Sequence, residues 1–336
     1  MEKRLDAPWW SQCNCPYTGC PRLALPADER PEGCRACWAP GFLSGRTGRT
    51  IHGGEDPGKL MLWPGRLAKC LRARKPQRYG WILGEPAEVA RLHPEYLAAC
   101  VGVAMARPDH GFGVLTSDPA GIVEFCRWLM APFADHISAG ASGWARAVNA
   151  LEDLGSIGRW HIERESAFPP QNWLWLISAS NQPELDERAP YAAELARMGW
   201  QVGLHLEPML EPVDLDNYGV LLAKAGDVEA RLNMLTGHVS GPDEMRPDMR
   251  WSWVAVGSPK GHTPSDEEVD TVGQAIATME AGRPLCETPV VSELDWYRDI
   301  RDQCAAAGVK FWLKNPTEIS GKKYRELPKG WPNVVQ

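Results

Sequence analysis

Five of the chain's ten cysteines crowd into its first 37 residues: Cys13, Cys15, Cys20, Cys34 and Cys37. In a reducing compartment, clustered thiols point to metal rather than to a disulfide framework. Cys34-Arg-Ala-Cys37 is a C-x-x-C pair, whose intervening backbone can wrap both thiolates onto one centre. A third thiolate from Cys20, Cys15 or Cys13 would bind a 4Fe–4S cluster and leave one iron open to a ligand. A fourth would instead close a structural zinc site. Spacing leaves iron–sulfur and zinc both standing. Cys70, Cys100, Cys126, Cys286 and Cys304 are scattered and read as small buried hydrophobes.

A second set of chemistry-bearing residues recurs at the ends of apolar runs. Runs at 79–83, 111–115, 172–177, 201–206, 251–256 and 309–313 read as strands, several near-continuously apolar as in a sheet covered on both faces. After them come Gly84-Glu85-Pro86, Thr116-Ser117-Asp118, Ser178-Ala-Ser180-Asn181-Gln182, His205-Leu-Glu207-Pro208, Gly257-Ser258 and Lys314-Asn315. In a barrel these ends meet at one mouth, where barrel enzymes build their sites. Strand ends are more polar than strand middles in any case, but Glu207 and Lys314 beside apolar runs are costly to bury without a task.

Helical patterns at 94–107, 119–130, 185–198 and 292–307 alternate with the strands, and Gly199 and Gly308 stand where helix C-caps are expected. Strand–helix alternation predicts an α/β fold, a full or partial (β/α) barrel, with an open doubly wound sheet as the alternative. One or two further strands are expected near the N-terminus. Residues 1–60, rich in Gly, Pro and Cys, read as an irregular cluster-binding segment, and 61–336 as one integrated barrel. Gly140-Ala-Ser-Gly143 and Pro169-Pro170 look like loop, and 209–250 and 257–290 like long connections. Trp9 and Trp10, beside the first cysteines, could shield a cluster from water.

The formal charge of −7 disfavours a sequence-independent grip on duplex DNA. The basic stretch 66–75 suits either a phosphate or a solvated helix face. No apolar run is long enough to span a membrane and the first residues lack a secretion signal, so a cytoplasmic protein is expected.

Cys15-Pro-Tyr-Thr-Gly-Cys20, followed by Pro31-Glu-Gly-Cys34-Arg-Ala-Cys37-Trp-Ala39, resembles the three-cysteine signature of an uncharacterised family found in phages, prophages and bacteria. That family belongs with the radical S-adenosylmethionine (SAM) barrels. Leu62-Trp-Pro-Gly-Arg-Leu67, His110-Gly-Phe-Gly-Val-Leu-Thr116, Asp186-Glu-Arg-Ala-Pro190, Leu206-Glu-Pro208 and the stretch Ile300–Val309 ending at Lys314 match its further blocks. Gly84-Glu85-Pro86 also looks like the element that binds the amino group of SAM's methionine part in many radical SAM enzymes. The chain departs from the pattern in a spacer of 13 residues between Cys20 and Cys34, in the extra thiols Cys13 and Cys15, and at Leu83-Gly-Glu-Pro-Ala87, Ser117, Asp118, Ser258-Pro-Lys260 and Lys314-Asn-Pro316.

The resemblance implies a radical SAM-type barrel in which Cys20, Cys34 and Cys37 hold a 4Fe–4S cluster, with Cys13 or Cys15 as substitutes for Cys20. It implies SAM binding at Gly84, Glu85 and Pro86, and Gly257 ends a strand segment like the one that lays backbone against adenine. Ser178 and Ser180 suit the SAM carboxylate or ribose and Glu207, His205 and Lys314 the substrate, with plain structural roles as the alternative for each. The implied reaction is hydrogen abstraction by a 5′-deoxyadenosyl radical, with a small molecule or nucleotide as substrate and an electron-donor protein as partner. Phage association would suit nucleobase or nucleotide modification, which keeps nucleic acid open as a partner. The alternatives are a zinc-stabilised barrel without SAM chemistry and a non-catalytic phage binding protein.

Overall fold

The computed structural model describes residues 9–26, 28–30, 42–43, 45–134, 137–155, 162, 167–216, 220–225, 228–240, 244–257, 293–313, 326–328 and 331. In chain order these form β1 (Tyr17–Thr18), α1 (Arg46–Ile51), β2 (Met61–Leu62), α2 (Pro64–Arg72), β3 (Arg78–Trp81), α3 (Pro86–Leu92), α4 (Pro94–Ala106) and β4 (Gly111–Thr116). There follow α5 (Pro119–Met130), α6 (Ala139–Asp153), β5 (Trp173–Ala179), α7 (Gln182–Arg197) and β6 (Gln201–Leu206). The remainder is β7 (Val220–Ala225), β8 (Val228–Leu232), β9 (His238–Ser240), β10 (Glu244–Met245), β11 (Trp253–Val256), α8 (Glu293–Ala307) and β12 (Lys310–Leu313).

Six strands pair in parallel in the order β12-β11-β6-β5-β4-β3, a curled half-barrel sheet in which every connection crosses over. The expected strands and the partial barrel are therefore present. Helix starts follow local chemistry. Proline opens α2, α3, α4 and α5, where its missing N–H costs nothing. Glu85, Asp118, Ser138 and Asn181 cap α3, α5, α6 and α7 through side-chain oxygens. Gly199 and Gly308 take positive φ just beyond α7 and α8, as their positions predict.

Both sheet faces are buried. On the outer face Trp81, Phe112, Trp173 and Trp175 stack edge-on beneath the helices. Helix α4 is apolar almost all round, with ten buried residues, because it lies inside the helical layer. On the inner face Gly113 leaves room for Trp9: a Cβ there would lie 2.4 Å from the Trp9 ring. The Trp9 ring also lies 5.6 Å, centroid to centroid, from that of Trp253 on β11. β4 and β11 are three strand spacings apart, about 14 Å in a flat sheet. The Trp9 and Trp253 indoles together bridge the inner face between these strands. Trp9, fully buried, thus plugs the N-terminal half of the half-barrel with Trp331.

Three further expectations change. Gly140-Ala-Ser-Gly143 is not loop but the first turn of α6, whose small residues fit against neighbours: a Cβ on Gly143 would meet the Phe168 ring at 2.2 Å. The connection 209–250 holds an antiparallel sheet, β10-β9-β8-β7, rather than coil. The extra N-terminal strand, β1, pairs antiparallel with β2 instead of joining the main sheet. Single parallel bridges, Gln12 to Tyr79 and Gly19 to Gly84, still lay this segment along the β3 edge. Residues 258–292, including most of the expected connection 257–290, lie outside the described residues.

Candidate functional site

Side chains in a parallel sheet alternate between faces, so register decides what shares the concave side. Leu115 pairs with Leu176, and Ser178 with His205. One step on, the C-terminal ends of β3 to β6 open into a single cavity of about 880 Å³, its open mouth included. Gly84, Glu85, Ser117, Ser178, Ser180, His205 and Glu207 line it, with Ile82, Leu83 and Leu115 as the apolar part of the wall. Cys20 lines it too, brought there by the N-terminal segment that runs along β3.

Glu85 is buried, and its carboxylate is heavily engaged. Oε1 accepts from the Thr116 hydroxyl at 2.6 Å and the Ala87 N–H at 3.2 Å. Oε2 accepts from the Ser117 hydroxyl at 2.8 Å and the Ser117 N–H at 3.0 Å. Four donors on two oxygens make it the tie between the ends of β3 and β4. Pro86 follows as the first residue of α3.

Across the cavity, Arg188 of α7 donates to the Ser178 carbonyl at 2.6 Å and to Glu184 Oε2 at 3.0 Å. Glu184 Oε2 also accepts the Ser180 N–H at 3.0 Å. This pair, buried Arg188 with partly buried Glu184, holds the end of β5 where Ser178 and Ser180 line the cavity. Neither Arg188 nor Glu184 is expected at the site from the sequence, although Arg188 lies in the block Asp186-Glu-Arg-Ala-Pro190.

At the end of β6, His205 Nε2 lies 3.4 Å from Glu207 Oε2, both groups buried. Glu207 precedes a cis proline, Pro208. A Cβ on Gly257 would sit 3.0 Å from Glu207 Cδ, so this glycine clears space for the carboxylate. Its N–H and C=O are bonded to Leu206 O and Met209 N.

Cys13 and Cys15 do not line the cavity. Cys15 is fully buried, and burial pushes its thiol up to about 11 although the Leu83, Tyr17 and Ile82 backbones hydrogen-bond to it. Burial, with Cys15 nearby, pushes Cys13 up to about 12. Cys34, Cys37 and Lys314 lie outside the described residues. Among the described residues, no group of three or more His, Cys, Asp and Glu side chains is placed to hold a metal. No described helix is long and apolar enough to cross a membrane.

Residues 6–329 match the model of a family described as "Protein of unknown function (DUF5131)". No curated protein matches the chain. Among solved structures, the chain is similar to "Spore photoproduct lyase complexed with dinucleoside spore photoproduct", at 11% identity and a TM-score of 0.38, over 93% of this chain and 78% of that one.

Proposed function

This chain belongs to the DUF5131 family, and we propose that it is a radical SAM enzyme whose cavity receives a 4Fe–4S cluster and SAM. The observation that carries this reading is the meeting of Cys20, the Gly84–Glu85 corner, Ser178 and Ser180 in one cavity at the C-terminal strand ends. Cys20 is the thiol of the first cysteine group that opens there, so it is assigned as cluster ligand with Cys34 and Cys37; Cys13 and Cys15 are not. When bound, the cluster and SAM supply one-electron cleavage to a 5′-deoxyadenosyl radical that abstracts hydrogen from substrate.

The protein's own residues bind and orient. Glu85, its oxygens already carrying four donors, holds the Gly84 edge in place for the ammonium of SAM. The Ser178 and Ser180 hydroxyls are donors for its carboxylate or ribose, held in place by Arg188 and Glu184. Leu83, Ile82 and Leu115 keep water from that side of the cavity. Glu207, with His205 beside it, faces the substrate, and a proton shared near Glu207 Oε2 and His205 Nε2 can serve a substrate hydrogen-bonding group. Lys314 is assigned to the substrate side as well. The substrate is a small molecule or nucleotide, and an electron-donor protein completes the system.

The test is anaerobic reconstitution followed by metal analysis and product assay. Iron and sulfide in a 4Fe–4S ratio, with 5′-deoxyadenosine formed only when SAM and reductant are both present, are expected. Zinc without iron would make the chain a zinc-stabilised barrel. A cluster that never binds SAM would make it a non-catalytic binding protein.

A further inference from the structure

Cys20 is joined to the sheet edge through Gly19. The Gly19 N–H donates to Leu83 O at 2.9 Å, and the Glu85 N–H to Gly19 O at 3.4 Å. The Cys20 N–H donates to Pro57 O at 3.0 Å. Gly19 has φ +95°, and a Cβ there would lie 2.0 Å from Lys59 O and 3.0 Å from the His52 ring. The residue before the thiol is therefore held between the sheet edge on one side and residues 52–59 on the other.

Three buried or partly buried side chains close that grip. Trp63 Nε1 lies 2.8 Å from Thr18 Oγ1. An indole nitrogen can only donate, so the Thr18 oxygen accepts there. The Thr18 hydroxyl hydrogen is then free to point at His52 Nδ1, 2.7 Å away. With Nδ1 accepting, His52 carries its hydrogen on Nε2, which lies 2.7 Å from Asp56 O. The donors run in one direction, Trp63 to Thr18 to His52 to Asp56, and each polar atom in the chain has one assignment. Both Thr18 and His52 are fully buried, so each bond is costly to leave unmade.

We infer that Thr18 and His52 are positioning residues for Cys20: through Gly19 they fix where its sulfur enters the cavity. This rests on the reading of Cys20 as a cluster ligand. Residues that orient a metal ligand without touching the metal commonly change metal affinity 10–100-fold when removed. A threonine two residues from the ligand, with one conformationally fixed glycine between, is placed to act so.

Two measurements test it on Thr18→Val, Thr18→Ser and His52→Gln. The first uses metal-free full-length protein and needs no cluster: the rate at which iodoacetamide alkylates Cys20, followed by peptide mass. Thr18→Val is expected to change that rate at least fivefold while buried Cys126, on α5, stays unlabelled, and Thr18→Ser is expected to restore it. The second is the rate at which a chelator strips iron from reconstituted protein, expected to rise about tenfold or more in Thr18→Val and not in Thr18→Ser. His52→Gln carries the same comparisons should Thr18→Val fail to fold. Cys20 alkylation unchanged in a folded variant lacking the Thr18–His52 bond overturns the inference. Wild-type protein that takes up no iron overturns the cluster reading instead, and leaves the alkylation result to judge the clamp.

Discussion

Cys15 and Cys20 stand five residues apart in one stretch of chain, yet the fold gives them opposite surroundings. Cys15, with Trp9 and Tyr17, points into the core and is fully buried. Cys20 opens into the cavity beside Gly84 and Glu85. Thr18 lies between them, where the chain pairs with β2 and turns toward the mouth. The same residue type in the same motif thus becomes a packing group on one side and a candidate ligand on the other. Local composition marks a thiol-rich segment; only the register of that segment along β3 decides which sulfur meets the site.

The core side should respond in stability and the cavity side in chemistry. Trp9→Ala empties a fully buried indole site and should cost about 3–5 kcal/mol in denaturant unfolding, leaving iron per folded chain unchanged. Glu85→Ala strips the acceptor from four donors at the cavity wall. It should cost roughly 3 kcal/mol, from about 1–3 kcal/mol per unsatisfied buried group. It should also lower 5′-deoxyadenosine formation, which Trp9→Ala per folded chain should not.

Cys15→Ala should cost about 1 kcal/mol at pH 8 and should flatten the alkaline pH dependence of stability. The Cys15 thiol is raised by burial from 9.0 to about 11 in the folded chain. Between those values the unfolded chain has lost the proton that the folded chain keeps, so stability is full below pH 9 and falls as pH rises toward 11. Wild-type unfolding free energy measured across that window should drop more steeply than that of Cys15→Ala. An equal slope would mean that Cys15 is not buried as described. Gly257→Ala is the smallest change: its Cβ, 3.0 Å from Glu207 Cδ, should displace the carboxylate. Stability should move by about 1 kcal/mol or less, and substrate turnover should fall.

Much of this fold is legible in the amino-acid sequence. The six parallel strands carry apolar runs, α4 and α5 start on prolines, and α7 and α8 stop just before Gly199 and Gly308. Helix α6 was hidden because its packing relies on smallness: Gly143 against Phe168, and Ala147 against Gly102 of α4. Glycines and serines that read as loop in one dimension are contact residues in three. The β7–β10 sheet was hidden because it keeps apolar residues exposed, among them Leu221, Leu222 and Met245, so no buried apolar run marks it. At the site, the strand-end positions were readable one by one, and Gly84, Glu85, Ser178, Ser180 and Glu207 do share a cavity. What could not be read was pairing across strands. That Glu85 is taken up by Thr116 and Ser117, or that Gly257 makes room for Glu207, depends on residues far apart in sequence.

The most direct test is iron content after anaerobic reconstitution, compared between Cys20→Ala and Cys15→Ala with wild type alongside. Cys15→Ala should hold as much iron and sulfide as wild type, and Cys20→Ala should hold close to none. Iron retained in Cys20→Ala but lost from Cys15→Ala would contradict the assignment of the cavity-facing thiol, and with it the site proposed at the mouth of the half-barrel.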